Sequence, residues 1–135
     1  MYNKNMEKLS AKKRFSIVAR LKSVTNAWRG LGIFLKTTHN AWVHIFFSIL
    51  AIYLGFALKI NNMEWVVIIF AMGMVIVTEA LNTAFEIDID LTSPTYHPYA
   101  RDTKDVAAGA VLVSVIVAGI IGLIIFLPKI IGLMY

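Results

Sequence analysis

The sequence contains no cysteine. Disulfide frameworks, cysteine-ligated zinc, iron–sulfur clusters and a cysteine nucleophile are therefore excluded. Charge is scarce as well: 16% of the 135 residues are Asp, Glu, Lys or Arg, against about 25% in an ordinary soluble domain. There is no Walker A loop, no H-R-D or D-F-G kinase set and no G-x-S-x-G elbow. Gly30-Leu31-Gly32 is too short for a nucleotide loop, and His39, His44 and His97 lack the spacing of zinc ligands. No repeat or low-complexity tract is present, and the basic N-terminal stretch lacks the apolar core of a signal peptide.

What the chain has instead is apolar length. Hydrophobic residues make up 59% of it and the mean hydropathy is +0.72, which excludes a soluble globule and a disordered chain. A membrane-spanning helix needs roughly 20 mostly apolar residues. Three stretches qualify, with spans expected at 41–59, 63–86 and 105–127. From Ala41 to Leu58 the first carries one potentially charged residue, His44. The second is apolar from Trp65 to Val77 and then meets Thr78 and Glu79. The third is uncharged from Val106 to Leu127.

The basic residues set an orientation. Nine of the 13 lie in the first 36 residues, and Arg101 and Lys104 lie between the second and third spans. Counting loops, 11 fall on one side and Lys59 and Lys129 on the other, so the N-terminus and the 87–103 loop are expected to be cytoplasmic. No RNA- or DNA-binding module accompanies the basic residues, so they are read as attraction to an anionic leaflet and not to nucleic acid. Ile17, Leu21, Val24, Trp28, Leu31 and Leu35 follow a helical stripe, which predicts an amphipathic helix over 9–38 lying in the membrane interface. Residues 1–8 are expected to be disordered. The fold class is thus an all-α membrane protein, with three transmembrane helices and an N-terminal surface helix.

The second span carries the chemistry. Glu79, Asn82, Glu86 and Asp90 sit at i, i+3, i+7 and i+11. At about 100° per residue they share one helix face within roughly 80°. Glu79 lies about 21 Å of helix rise beyond Trp65, near the inner edge of a ~30 Å hydrocarbon core. A carboxylate there costs about 2–3 kcal/mol, so it is read as functional; the plain alternative is a polar pair that only holds helices together. A carboxylate in apolar surroundings can take a proton from a hydroxyl, and hard cations such as Mg²⁺ prefer carboxylate and phosphate oxygens. Together these suit phosphoryl transfer from a soluble nucleotide to a lipid alcohol.

The following loop fits that chemistry. Ser93-Pro94 and His97-Pro98 impose extended or turn backbone. Asp102 is expected to cap the third span, and Lys104 to meet phosphates; positive-inside anchoring is the other reading of Arg101 and Lys104. Ala110, Ser114, Ala118 and Gly122 form a small-residue stripe that permits close helix packing. Three thin helices do not easily enclose a lipid headgroup and a nucleotide, so a homo-oligomer is expected.

The motifs resemble one family. Glu79-Ala-Leu-Asn82-Thr-Ala-Phe-Glu86 followed by Asp90 is similar to the signature of prokaryotic diacylglycerol kinases and undecaprenol kinases. So are His97-Pro98-Tyr99-Ala100, Lys104-Asp105-Val106-Ala107-Ala108-Gly109-Ala110 and Ala27-Trp28-Arg29-Gly30-Leu31. The resemblance implies an ATP- and Mg²⁺-dependent lipid kinase of the bacterial inner membrane. It implies a homotrimer with active sites shared between subunits. Glu79 would be the general base on the lipid hydroxyl, with Asn82 supporting it. Glu86 would bind Mg²⁺, and Tyr96, His97, Lys104 and Asp105 would contact ATP, with Asp90 at the same rim. Thr38 stands where the family has a metal-binding Glu, and Trp42 where a basic residue is common. A hydroxyl can ligate magnesium but brings no charge. The loop and the start of the third span look closer to undecaprenol kinases than to diacylglycerol kinases. The alternative is a catalytically degenerate assembly or lipid-binding protein of the same fold.

Overall fold

The computed structural model describes residues 16–133. The expected disorder of residues 1–8 and the start of the surface helix at residue 9 lie outside them. Four helices and no strand occur among the described residues: α1 (Ile17–Thr37), α2 (His39–Ala57), α3 (Asn62–Thr92) and α4 (Pro98–Ile131). The chain divides between Gly32 and Ile33 into two units. In the first, Ile17, Leu21, Val24, Trp28 and Leu31 are all exposed, so the apolar stripe read from the sequence is a real surface.

In the second unit, α2, α3 and α4 are each long and apolar enough to cross a membrane. With 19, 31 and 34 residues they measure roughly 28, 46 and 51 Å, so α3 and α4 exceed a ~30 Å hydrocarbon core. Both run further than hydropathy suggested. The second span, expected at 63–86, lies on a helix that continues to Thr92, and the third, expected at 105–127, lies on one that begins at Pro98. Hydropathy stops where the bilayer stops, but a polar helix need not. Proline at the first position starts α4 because its fixed φ suits a helix and its missing N–H has no partner there. The cap is consequently His97, and Asp102 lies inside the helix, which corrects its expected capping role.

The turn between α2 and α3 is stapled by local bonds. Lys59 takes φ 50°, a left-handed conformation usual for glycine at helix ends, and the Ile60 N–H reaches back to the Gly55 carbonyl at 3.1 Å. Asn61 then opens α3 with a capping box. Its Oδ1 accepts from the Glu64 N–H at 3.0 Å, and Glu64 Oε2 accepts from the Asn61 N–H at 2.7 Å. The same Glu64 oxygen meets Lys129 Nζ at 3.2 Å and so ties the end of α4 to the start of α3. Below this staple, Ile60, Ile68, Ile125 and Phe126 form the buried core.

Helices α3 and α4 make the most extensive contact of the unit. The Thr78 and Ser114 hydroxyls, each also bonded to a carbonyl one turn back, lie 2.8 Å apart across that contact. Elsewhere the large apolar side chains point outward, Phe46, Phe70 and Ile124 among them. In water such a surface would aggregate; in lipid it is the expected outer face.

Gly55 marks the tightest approach. A Cβ there would lie 2.6 Å from Trp65 Cη2 and 3.1 Å from Ile60 Cδ1. Gly55→Ala should therefore cost about 1–3 kcal/mol through overpacking, read as a lower unfolding midpoint in detergent. An unchanged midpoint would show that the Trp65 ring moves aside freely.

Candidate functional site

The buried polar residues among those described are Glu79, Asn82 and Thr83, consecutive on one face of α3. Glu79 is 1% exposed. Its neighbours come from three elements. His44 on α2 places Nε2 3.8 Å from Glu79 Oε2, beyond hydrogen-bond distance. Thr83 donates to the Glu79 carbonyl at 3.0 Å, and its hydroxyl lies 2.7 Å from that of Thr38. Asn82 Nδ2 donates to Glu86 Oε1 at 3.0 Å.

Thr38 is the single residue between α1 and α2. Its extended backbone (φ −106°, ψ 106°) breaks the helix, and its side chain makes no capping bond. Trp42 Nε1 closes the break from the other side by donating to the Leu35 carbonyl at 3.1 Å. The Thr38 hydroxyl is thereby free to reach across to α3.

Three buried side-chain atoms lack a hydrogen-bond partner among the described residues: His44 Nε2, Glu79 Oε1 and Asn82 Oδ1. Buried polar atoms are nearly always satisfied, so each exception needs a reason. Here the exceptions concentrate at one level of the bundle. The site therefore holds a carboxylate whose one oxygen has no internal use, a property suited to accepting a proton from another molecule.

A second cluster lies where α3 ends and α4 begins. Asp90, Tyr96, His97, Lys104 and Asp105 line a single cavity of about 310 Å³, together with Arg101. Lys104 Nζ donates to Asp90 Oδ1, and Arg101 Nε lies 3.5 Å from Asp105 Oδ2. The His97 and Tyr99 rings lie 5.6 Å apart. All five residues expected to sit near a nucleotide are thus neighbours. Glu79, Asn82 and Glu86 share one face of α3, as their spacing required. Thr38 is brought to Thr83, and no group of three or more His, Asp or Glu side chains suited to a metal forms among the described residues.

Two residues escaped the sequence reading. His44 was set aside for lack of zinc-ligand spacing, although it is the one potentially charged residue between Ala41 and Leu58. Thr83 lies one turn beyond Glu79 and shares its face, a position that could have marked it.

Comparison with known proteins decides the family. The family model for prokaryotic diacylglycerol kinase matches residues 25–126, which include both clusters. The chain belongs to the prokaryotic diacylglycerol kinase family. An undecaprenol kinase of Bacillus subtilis is 39% identical over 108 residues, covering 80% of this chain and 88% of its own. A diacylglycerol kinase of Synechocystis is 36% identical over 115 residues, covering 84% of this chain and 66% of its own. A diacylglycerol kinase of Escherichia coli is 27% identical over 105 residues, covering 73% and 80%. Membership makes the chain a lipid kinase of the membrane, drawing its phosphoryl group from a nucleotide.

The buried carboxylate is costly to the fold. Glu79→Met should raise stability by about 1–3 kcal/mol, because it removes a desolvated group with an unpartnered oxygen. The midpoint of unfolding in detergent checks this. A drop would show the carboxylate to be net stabilising where it stands.

Proposed function

We propose that the protein transfers the γ-phosphoryl group of ATP, with Mg²⁺, to the hydroxyl of a membrane lipid alcohol, undecaprenol being favoured over diacylglycerol. The observation that carries the reading is Glu79, buried to 1% with Oε1 unpartnered, on the helix that also lines the Lys104 cavity. Glu79 Oε1 takes the proton of the lipid hydroxyl. The lipid oxygen then bonds to the γ-phosphorus as the bridging bond to ADP breaks. Asn82 holds Glu86 in place through its amide. Lys104, now paired with Asp90, exchanges that carboxylate for phosphate oxygens, while Tyr96, His97 and Asp105 contact the rest of the nucleotide.

Glu86 suits a magnesium ion: an exposed carboxylate at the rim, with the Asn82 oxygen near it, supplies the hard donors that Mg²⁺ takes alongside phosphates. Thr38 would add a hydroxyl oxygen that keeps a lone pair beside its bond to Thr83. When bound, the ion spreads the charge of the transferring phosphoryl group.

The preference for undecaprenol is supported by the loop and the Ala107-Ala108-Gly109-Ala110 start of the third span, and by the 39% identity to the Bacillus undecaprenol kinase. The excess of basic residues on one side, 11 against 2, supports a bacterial inner-membrane location with the site facing the cytoplasm. The exposed stripe of α1 supports its lying on that surface. A homotrimer is supported by the family resemblance and by the apolar faces that a single chain leaves uncovered.

One observation favours a second reading, a degenerate membrane assembly or lipid-binding protein. Thr38 offers no charge to a metal and already holds Thr83. Phosphate transfer from labelled ATP in mixed micelles separates the readings, with undecaprenol and diacylglycerol side by side. Glu79→Gln should lower kcat by about 10²–10⁴-fold while the protein still inserts and assembles. Thr38→Glu should lower the Mg²⁺ concentration needed for half-maximal rate. A native protein silent toward both lipids, beside an active Thr38→Glu variant, would establish the degenerate reading.

A further inference from the structure

One unpartnered buried atom, His44 Nε2, faces the carboxylate that carries a second, Glu79 Oε1, across that carboxylate's other oxygen. His44 Nε2 belongs to α2 and Glu79 Oε2 to α3, and they stand 3.8 Å apart. The His44 side chain is 15% exposed and that of Glu79 is 2% exposed, so neither is served by open solvent. Between Ala41 and Leu58, His44 is the one potentially charged residue. An imidazole and a carboxylate that are both half-satisfied, drawn from different helices to one spot, form a pair only if they act on each other.

Among the described residues no other ionisable side chain is paired with Glu79. From α4, Ser114 is engaged with Thr78. On α3 itself, Asn82 turns its amide to Glu86, and Thr83 bonds the Glu79 carbonyl and Thr38. A shift of about 1 Å would bring the His44 and Glu79 atoms to the length of a charge-assisted hydrogen bond.

We propose that His44 is the positioning residue of the proton-accepting carboxylate, resting on the kinase reading above. His44 holds Glu79 Oε2 by donating its Nε2–H to it. This turns Oε1, which has no other partner, toward the lipid hydroxyl. In the transfer step the lipid O–H bond breaks as an O–H bond forms at Oε1, and the lipid oxygen bonds to phosphorus as ADP departs. The proton stays on Oε1, and Nε2–H goes on donating to Oε2, now the carbonyl oxygen of the neutral acid, so the carboxyl group is held in place throughout. The imidazole also lines an apolar cleft of about 330 Å³ between α2, α3 and α4, so a small molecule can reach its place from the bilayer.

The test compares His44→Ala, His44→Gln and His44→Leu with the native protein in mixed micelles, using undecaprenol, diacylglycerol and ATP. His44→Ala and His44→Leu should each lose roughly 10- to 100-fold in kcat, with the KM values for lipid and ATP nearly unchanged. His44→Gln, which keeps a donor, should recover part of that loss, and so should imidazole added to His44→Ala. Native rates in His44→Leu would reduce His44 to packing and overturn the proposal. Infrared difference spectra read the pair independently of activity. The carboxyl band that disappears in Glu79→Gln should move in His44→Ala and His44→Gln. A band that stays in place overturns the pairing, whereas a native protein that phosphorylates neither lipid, but whose band moves, overturns the kinase reading and leaves the pairing standing.

Discussion

Everything around the second span is arranged about one costly group, a carboxylate taken out of water inside an apolar bundle. A bare carboxylate cannot persist there without partners. Glu79 has few: the His44 imidazole of α2 stands 3.8 Å from its Oε2, and the hydroxyl of Thr83, itself anchored to Thr38, bonds only its backbone carbonyl. The Thr78–Ser114 contact joins α3 to α4 one residue before Glu79. The far end of the bundle, with its capping box, its Lys129–Glu64 ion pair and its apolar core, supplies rigidity where no chemistry is needed.

The division between the two ends follows from solvent as much as from sequence. Outward-facing Phe, Ile and Val residues gain nothing by burial in the chain's own interior when lipid already surrounds them. Packing must then come from close helix approach and from hydroxyl pairs. That explains a core of few residues in a protein so rich in apolar side chains. It also explains why a single chain leaves so much apolar surface uncovered.

The three spans and the shared face of Glu79, Asn82 and Glu86 were legible in the sequence, because each rests on helical periodicity or on apolar length; the grouping of Lys104 with Asp90 was expected only from the family resemblance. The ends of α3 and α4 were not legible. Hydropathy registers the bilayer boundary, whereas the helix ends at Ser93 and His97, where prolines intervene. Asp102 was misread as a cap for the same reason. His44 and Thr38 were illegible in a different way. Their partners lie 35 and 45 residues away on another helix, and only the packing of α2 on α3 brings the pairs together. The Thr38 hydroxyl, expected at a metal, also braces α3 through Thr83.

The straight run of α3 past the bilayer edge sets a scale. Glu79 and Asp90 stand on the same unbroken helix, 11 residues and about 16 Å apart along its axis. No loop or hinge intervenes to adjust that interval. The protein is thus a ruler mounted in the membrane, graduated in helical turns. On the proposed reading the nucleotide is docked at one mark and the proton acceptor at another. On that same reading an acceptor lipid is met at one depth, because its hydroxyl has to come to the level of Glu79.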